Sequence, residues 1–202
     1  LKHLRGISYA AYLHHSGRTC NSKGIASINN GRSAVRSALL NYCRTDDQNR
    51  IMAYLASINS GAPHIKVVVI DTLNGIMVAD EVERMKEKSY DKWVDLAQCV
   101  WNLLDYVNTM RDDITVIILC HSQTQKADDG YTFTRIKTSG KKLDKLNVES
   151  KLTTVLYATV NNGEYVFETH ANKSTAKTPL GAFDENKIPN DILLVMKALE
   201  EY

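Results

Sequence analysis

The residues best suited to chemistry stand at the ends of two apolar runs. Ile65-Lys66-Val67-Val68-Val69-Ile70 closes on Asp71, and Ile114-Thr115-Val116-Ile117-Ile118-Leu119-Cys120 closes on His121-Ser122-Gln123. The first run is β-branched almost throughout, which predicts a central strand buried on both faces of a parallel sheet. Such a strand delivers Asp71 and Thr72 to the carboxyl edge, where open α/β sheets receive ligands. A hard carboxylate there suits a Mg²⁺ that also binds nucleotide phosphates. The same Asp can simply open a turn, and the pattern alone does not separate the two readings. The second run sharpens the choice. If the two strands are neighbours, His121 and Ser122 share Asp71's edge, where His121 can sense a terminal phosphate or orient attacking water and Ser122 can face the nucleotide. A polar residue that merely closes a strand is the plainer account of His121.

A phosphate-binding loop needs Gly, four residues, then Gly-Lys-Ser/Thr, so that backbone N–H groups wrap the phosphates and Lys neutralises them. No stretch of the 202 residues satisfies this. Ser16-Gly17-Arg18-Thr19 comes nearest, but Tyr12 stands where the first Gly belongs and Arg18 replaces Lys. Ser139-Gly140-Lys141-Lys142 lacks both the upstream Gly and the hydroxyl. Beyond the second run, Lys126, Tyr131, Phe133, Arg135, Lys137, Lys141 and Lys142 interleave cations with aromatic rings. Single-stranded DNA is held in that way, cations tracking phosphates and rings stacking on bases. A solvated basic loop is the alternative. Lys177, beside Thr178-Pro179-Leu180-Gly181, offers a cation that can reach a nucleotide across a subunit interface as a finger residue does; an ordinary exposed lysine is the alternative. The histidines at 14, 15, 64 and 170 and the cysteines at 20, 43, 99 and 120 show no metal-ligand spacing.

These groups need a scaffold, and the chain can build one. At 44% hydrophobic and 24% charged, it is long enough for one domain with a sizeable core, spanning 1–202. Twenty-five Lys and Arg against 23 Asp and Glu leave a net charge of +2, so attraction to nucleic acid must come from a local patch. No apolar run approaches the roughly 20 residues of a membrane span, and the unpaired cysteines fit a cytoplasmic protein. Residues 7–13 read as a strand. Asp46 and Asp47 cap a helix whose apolar positions are Ile51, Met52, Leu55 and Ile58. A long helix within 80–111 presents Trp93, Ala97, Val100, Leu104 and Val107 on one face and makes the crossover between the two strands. A polar, basic segment occupies 124–150. Two strands follow, over 152–160 and 164–170, joined at Asn161-Asn162-Gly163 by a type I′ turn. A last helix begins near Pro189-Asn190-Asp191. The expected fold is α/β: a mostly parallel sheet flanked by helices, closed by a C-terminal antiparallel hairpin.

In this order, several segments resemble a known family. They are residues 65–71, Ser89-Tyr90-Asp91-Lys92-Trp93, Arg111-Asp112-Asp113, His121-Ser122, Lys137-Thr138-Ser139-Gly140-Lys141-Lys142-Leu143-Asp144 and Thr175-Ala176-Lys177-Thr178-Pro179-Leu180-Gly181. Together they are similar to phage-encoded, RecA-like AAA-type P-loop ATP-binding proteins, some of which assist single-strand annealing and recombination. The resemblance implies a RecA-like core, ATP with Mg²⁺, homo-oligomers with nucleotide at subunit interfaces, and a host-cytoplasm location. Asp71 then resembles the Walker B Asp, His121 the sensor and Lys177 a finger. Leu1-Lys2-His3-Leu4 looks like the end of the helix after Walker A, so that loop is expected before residue 1. Thr72 and the pair His14-His15 stand where carboxylates would activate water, which puts hydrolysis in doubt. A non-catalytic binding or assembly module is the rival expectation.

Overall fold

A computed structural model describes residues 8–13, 43–89 and 91–202. Asp47 opens helix α1 (Gln48–Gly61) by accepting the N–H groups of Asn49 and Arg50, at 2.8 and 3.3 Å. That cap satisfies donors the first turn cannot bond internally. Leu55 is buried, with Ile51, Met52 and Ile58 packed beside it on the same face. At the other end of α1 the Arg111 guanidinium gathers the carbonyls of Ile58, Asn59, Ala62 and Ile65. It thereby caps the helix and fixes the chain's entry into the next strand.

Strand β1 (Ser8–Leu13) and strand β2 (Val67–Asp71) both run parallel to β3 (Thr115–Lys126). β5 (Thr154–Asn161) runs parallel to β1, and β6 (Glu164–Glu168) and β7 (Lys187–Pro189) continue antiparallel. The resulting order is β2-β3-β1-β5-β6-β7, and β4 (Thr132–Ile136) pairs with the far half of β3, Thr134 also bridging Ser174. Helix α2 (Leu73–Glu83), helix α3 (Asp91–Asn108) and α1 cover one face of the sheet. Their core holds Leu73, Met77, Leu96, Leu103 and Leu104, each almost fully buried and each contributing about 2 kcal/mol. On the opposite face, Ile117, Leu156, Ala158 and Phe167 pack against Val195 and Leu199 of α5 (Ile192–Glu201). Helix α4 (Lys141–Leu146) and a 3₁₀ turn (Val148–Lys151) bridge β4 and β5.

The α/β alternation, the α1 cap, the β5–β6 hairpin and the last helix agree with the sequence reading. Asn162 and Gly163 have φ of 50° and 86°, as the type I′ turn requires. Three expectations need correction. Among the described residues β2 is an edge strand, and Val67 and Val69 remain 41% exposed, because only β3 of those residues pairs with it and α5 packs farther along the sheet. The crossover contains two helices, broken after Glu83, where Arg84 pairs with Glu87 and Asp95. Segment 124–150 is largely ordered structure: the end of β3, the strand β4 and helix α4.

Candidate functional site

Asp71 ends β2 opposite Leu119, so the next outward residue on that face of β3 is His121. The two strands are neighbours, as the site requires. Burial pushes the Asp71 carboxyl above its ordinary value, and the nearby His121 opposes this. Among the described residues none donates a hydrogen bond to that carboxylate. The Asp71–Thr72 peptide bond is cis. Thr72 caps α2, its hydroxyl accepting the Gly75 N–H at 3.0 Å. The Thr72 hydroxyl is thus already committed to the helix start.

A residue that sequence reasoning misses organises this edge. Asn74 is 6% exposed. Its Oδ1 accepts the His121 N–H at 2.6 Å, and its Nδ2 donates to the Lys137 carbonyl at 2.7 Å. Lys137 N–H in turn donates to the His121 carbonyl at 2.8 Å. Both backbone groups of His121 are therefore tied, while its side chain is exposed. Ser122 is half-buried and pairs with Ile136, already inside the β3–β4 ribbon. No spacing rule marks Asn74. Only its position three residues after Asp71, in the first turn of a helix, would have drawn notice.

A domain model described as AAA domain matches residues 23–180. This chain belongs to the AAA domain family. No curated protein matches it. The family places the chain among P-loop NTPases of α/β fold and makes nucleotide binding its function class, with ATP and Mg²⁺ as the usual ligands.

The residues of this AAA domain fit such a metal. No group of three or more His, Cys, Asp or Glu among the described residues could hold a cation by itself. Asp71 stands as a single carboxylate at an open edge. Mg²⁺ is held in that way, through one or two carboxylates, retained water and substrate phosphates rather than a protein cage.

The AAA domain distributes the other predicted residues unevenly. Lys126 and Lys137 are exposed at opposite ends of the ribbon. Tyr131 and Phe133 lie with ring centroids 6.4 Å apart and planes 15° from parallel. Arg135 leaves the predicted DNA set because it is buried: its Nη2 bonds Glu149 at 3.2 Å and its Nη1 the Asp144 carbonyl at 3.1 Å. Lys141 and Lys142 open α4, and their side chains lie outside the described residues. Gly140, part of a failed phosphate-loop match, serves packing. With φ of 84°, it lets Trp93 approach so closely that a Cβ would stand 2.6 Å from the ring. The other match, at 16–19, and residues 1–4, 14 and 15 lie outside the described residues.

Lys177 bridges Val155 of β5 through both backbone groups at 2.8 Å. Burial lowers its amine's pKa, offset in part by Glu149. Since β3 and β1 separate β2 from β5, Lys177 and Asp71 are not brought together within one chain. Three strand spacings put about 14 Å between β2 and β5. No helix among the described residues is long and apolar enough to cross a membrane.

Proposed function

We propose that this AAA domain is the Mg-nucleotide-binding core of a RecA-like, phage-encoded ATP-binding protein that acts on DNA in replication, recombination or annealing. One observation carries the nucleotide part: Asp71 and His121 share the carboxyl edge of neighbouring parallel strands. Mg²⁺, when bound, would draw the phosphates to Asp71. His121 would lie beside them with its backbone held by Asn74 and Lys137, and Ser122 would be the next polar group outward. The protein works in the host cytoplasm as a homo-oligomer, in which Lys177 reaches a neighbour's nucleotide.

Calorimetric titration with ATP, with and without Mg²⁺, tests the assignment. Asp71→Ala should abolish the Mg²⁺ dependence of binding; a variant that keeps the full dependence removes Asp71 from the metal site. Single-stranded DNA is the proposed polymer, and the stacked Tyr131–Phe133 pair beside Lys126 supports it. Alanine at either ring should weaken oligo(dT) binding by about 1–3 kcal/mol. Neutralising Lys126, Lys137, Lys141 and Lys142 should lower the salt slope by about 0.7 for each DNA phosphate that is no longer neutralised. Unchanged affinity and slope would reduce the ribbon to a solvated hairpin.

A second reading, a module that binds nucleotide without hydrolysing it, is favoured by Thr72. Its hydroxyl is occupied by Gly75 N–H and it offers no carboxylate to take a proton from water.

A further inference from the structure

We propose that this AAA domain assembles head to tail: an apolar, acid-rimmed knob on the β5–β6 hairpin and the start of α5 seats in an apolar, basic-rimmed groove between α3 and α4 of a second copy. The inference rests on the proposed homo-oligomer and deepens it by naming the two surfaces that meet.

Strand alternation builds the knob. Leu156 and Ala158 of β5 and Phe167 of β6 pack toward α5, so Val160 and Tyr165, two residues after Ala158 and two before Phe167, stand on that same face. They lie directly opposite each other in the ladder. Val195 and Leu199 of α5 cover Phe167 but not this pair, which stays 56% and 74% exposed. The Asn190 N–H donates to the Tyr165 carbonyl at 3.2 Å, which sets the first turn of α5 beside the pair and adds Leu193, 66% exposed. Glu164 and Asp191 are close to these side chains in sequence, and both are exposed. The ion pairs at this end of the molecule, Lys187–Glu168 and Lys197–Glu201, leave Glu164 and Asp191 with no cation among the described residues. An exposed apolar cluster rimmed by charge marks a protein contact, and tyrosine is a favoured anchor there.

Helical spacing builds the groove. Val94, Ala97, Gln98 and Trp101 recur on α3 at three- and four-residue intervals, and with Leu146 at the end of α4 they line a hollow of about 270 Å³. A cavity of about 150 Å³ already takes a benzene ring, so a tyrosine side chain has room. The rim is basic. Lys145, next to Leu146, is exposed and has no carboxylate partner among the described residues. Lys151 lies over the Trp101 ring, its Nζ 4.2 Å from the centroid, and pairs with Asp105. Knob and groove thus match in apolar character and are opposite in charge. Since α3 and α5 cover opposite faces of the sheet, a chain cannot fill its own groove. A contact of this heterologous kind leaves a free knob at one end and a free groove at the other, and so it propagates.

Sedimentation equilibrium over a range of protein concentrations tests the contact. Tyr165→Ser should weaken wild-type association about thirtyfold, as loss of a buried aromatic anchor does. Glu164→Lys and Lys145→Glu should each weaken it about tenfold, because each sets like charges together. An equimolar mixture of those two variants should regain wild-type affinity, since the reversed knob of one meets the reversed groove of the other and the two unreversed surfaces still match. All three side chains are exposed, so the substitutions spare the core. If Lys145→Glu nevertheless disrupts the short α4, Val94→Glu on α3 replaces it and should pair with Glu164→Lys in the same way. Association that survives Tyr165→Ser and the charge reversals undiminished overturns the contact, as does a mixture that stays as weak as its components. A wild type that remains monomeric at every concentration instead overturns the homo-oligomer itself, and the contact with it.

Discussion

Lys177 carries its charge into a half-buried place, and desolvation outweighs the attraction of Glu149, leaving the amine below the usual lysine range. The unfolded chain therefore binds that proton more tightly than the native state does, and the native state bears a cost at neutral pH. Lys177→Met should raise the melting temperature near pH 7. The gain should shrink as pH climbs from the lowered value toward 10.5, where the unfolded lysine also gives up its proton. Melting curves at pH 7 and pH 10 check this, and a constant gap would show that packing rather than charge is responsible. At this scale the sequence shows Asp71 and His121 well, because an apolar run ending in a polar residue marks a sheet edge directly. It shows nothing of Asn74, whose importance comes from two backbone partners 47 and 63 residues away. Arg135 reads as surface because charge usually is; a buried acid partner is invisible until the chain is folded.

At the scale of elements, the 3₁₀ turn matters more than its four residues imply. Glu149 accepts from Ile136 N–H at 3.0 Å, from the Thr175 hydroxyl at 3.2 Å and from Arg135 at 3.2 Å. It thus joins β4, the turn itself and the strand-like segment that carries Lys177. Glu149→Ala should cost about 3–5 kcal/mol in urea unfolding, because it leaves a buried guanidinium uncompensated. Glu149→Gln keeps an acceptor for Ile136 and Thr175 and should cost clearly less. Equal losses would mean that the charge, which both substitutions remove, and not the accepted hydrogen bonds or the packing, holds the turn. The β3–β4 ribbon is legible in principle: Asp128-Asp129-Gly130 lies between two alternating stretches, and Gly130 does take φ of 86°. The density of charge around it masks the pattern. The start of α2 is masked differently, since Asn74 and Gly75 are poor helix formers rescued by the Thr72 cap.

For the whole molecule, the described residues leave one apolar flank of the sheet open. Val67 and Val69 are 41% exposed on β2, which among those residues pairs with β3 alone. A flat apolar edge invites pairing with another chain. Val69→Lys should leave the fold intact and reduce concentration-dependent association in sedimentation experiments; unchanged association would locate self-contact elsewhere. The run 65–70 looks central because β-branched residues report strand preference, not the number of neighbours a strand will have. The family match and the parallel order β2-β3-β1-β5 agree with the α/β expectation at this level.

The guanidinium of Arg111 closes the end of α1 from 46 to 53 residues farther along the chain. The local chain supplies part of that closure, Ala62 N–H donating to the Ile58 carbonyl at 3.3 Å. The rest comes from a residue that follows β2, α2 and α3 in order of synthesis, so reinforcing a local element is here a long-range event. On a ribosome that helix would have only its local closing bond until the whole crossover had emerged and the guanidinium could reach it.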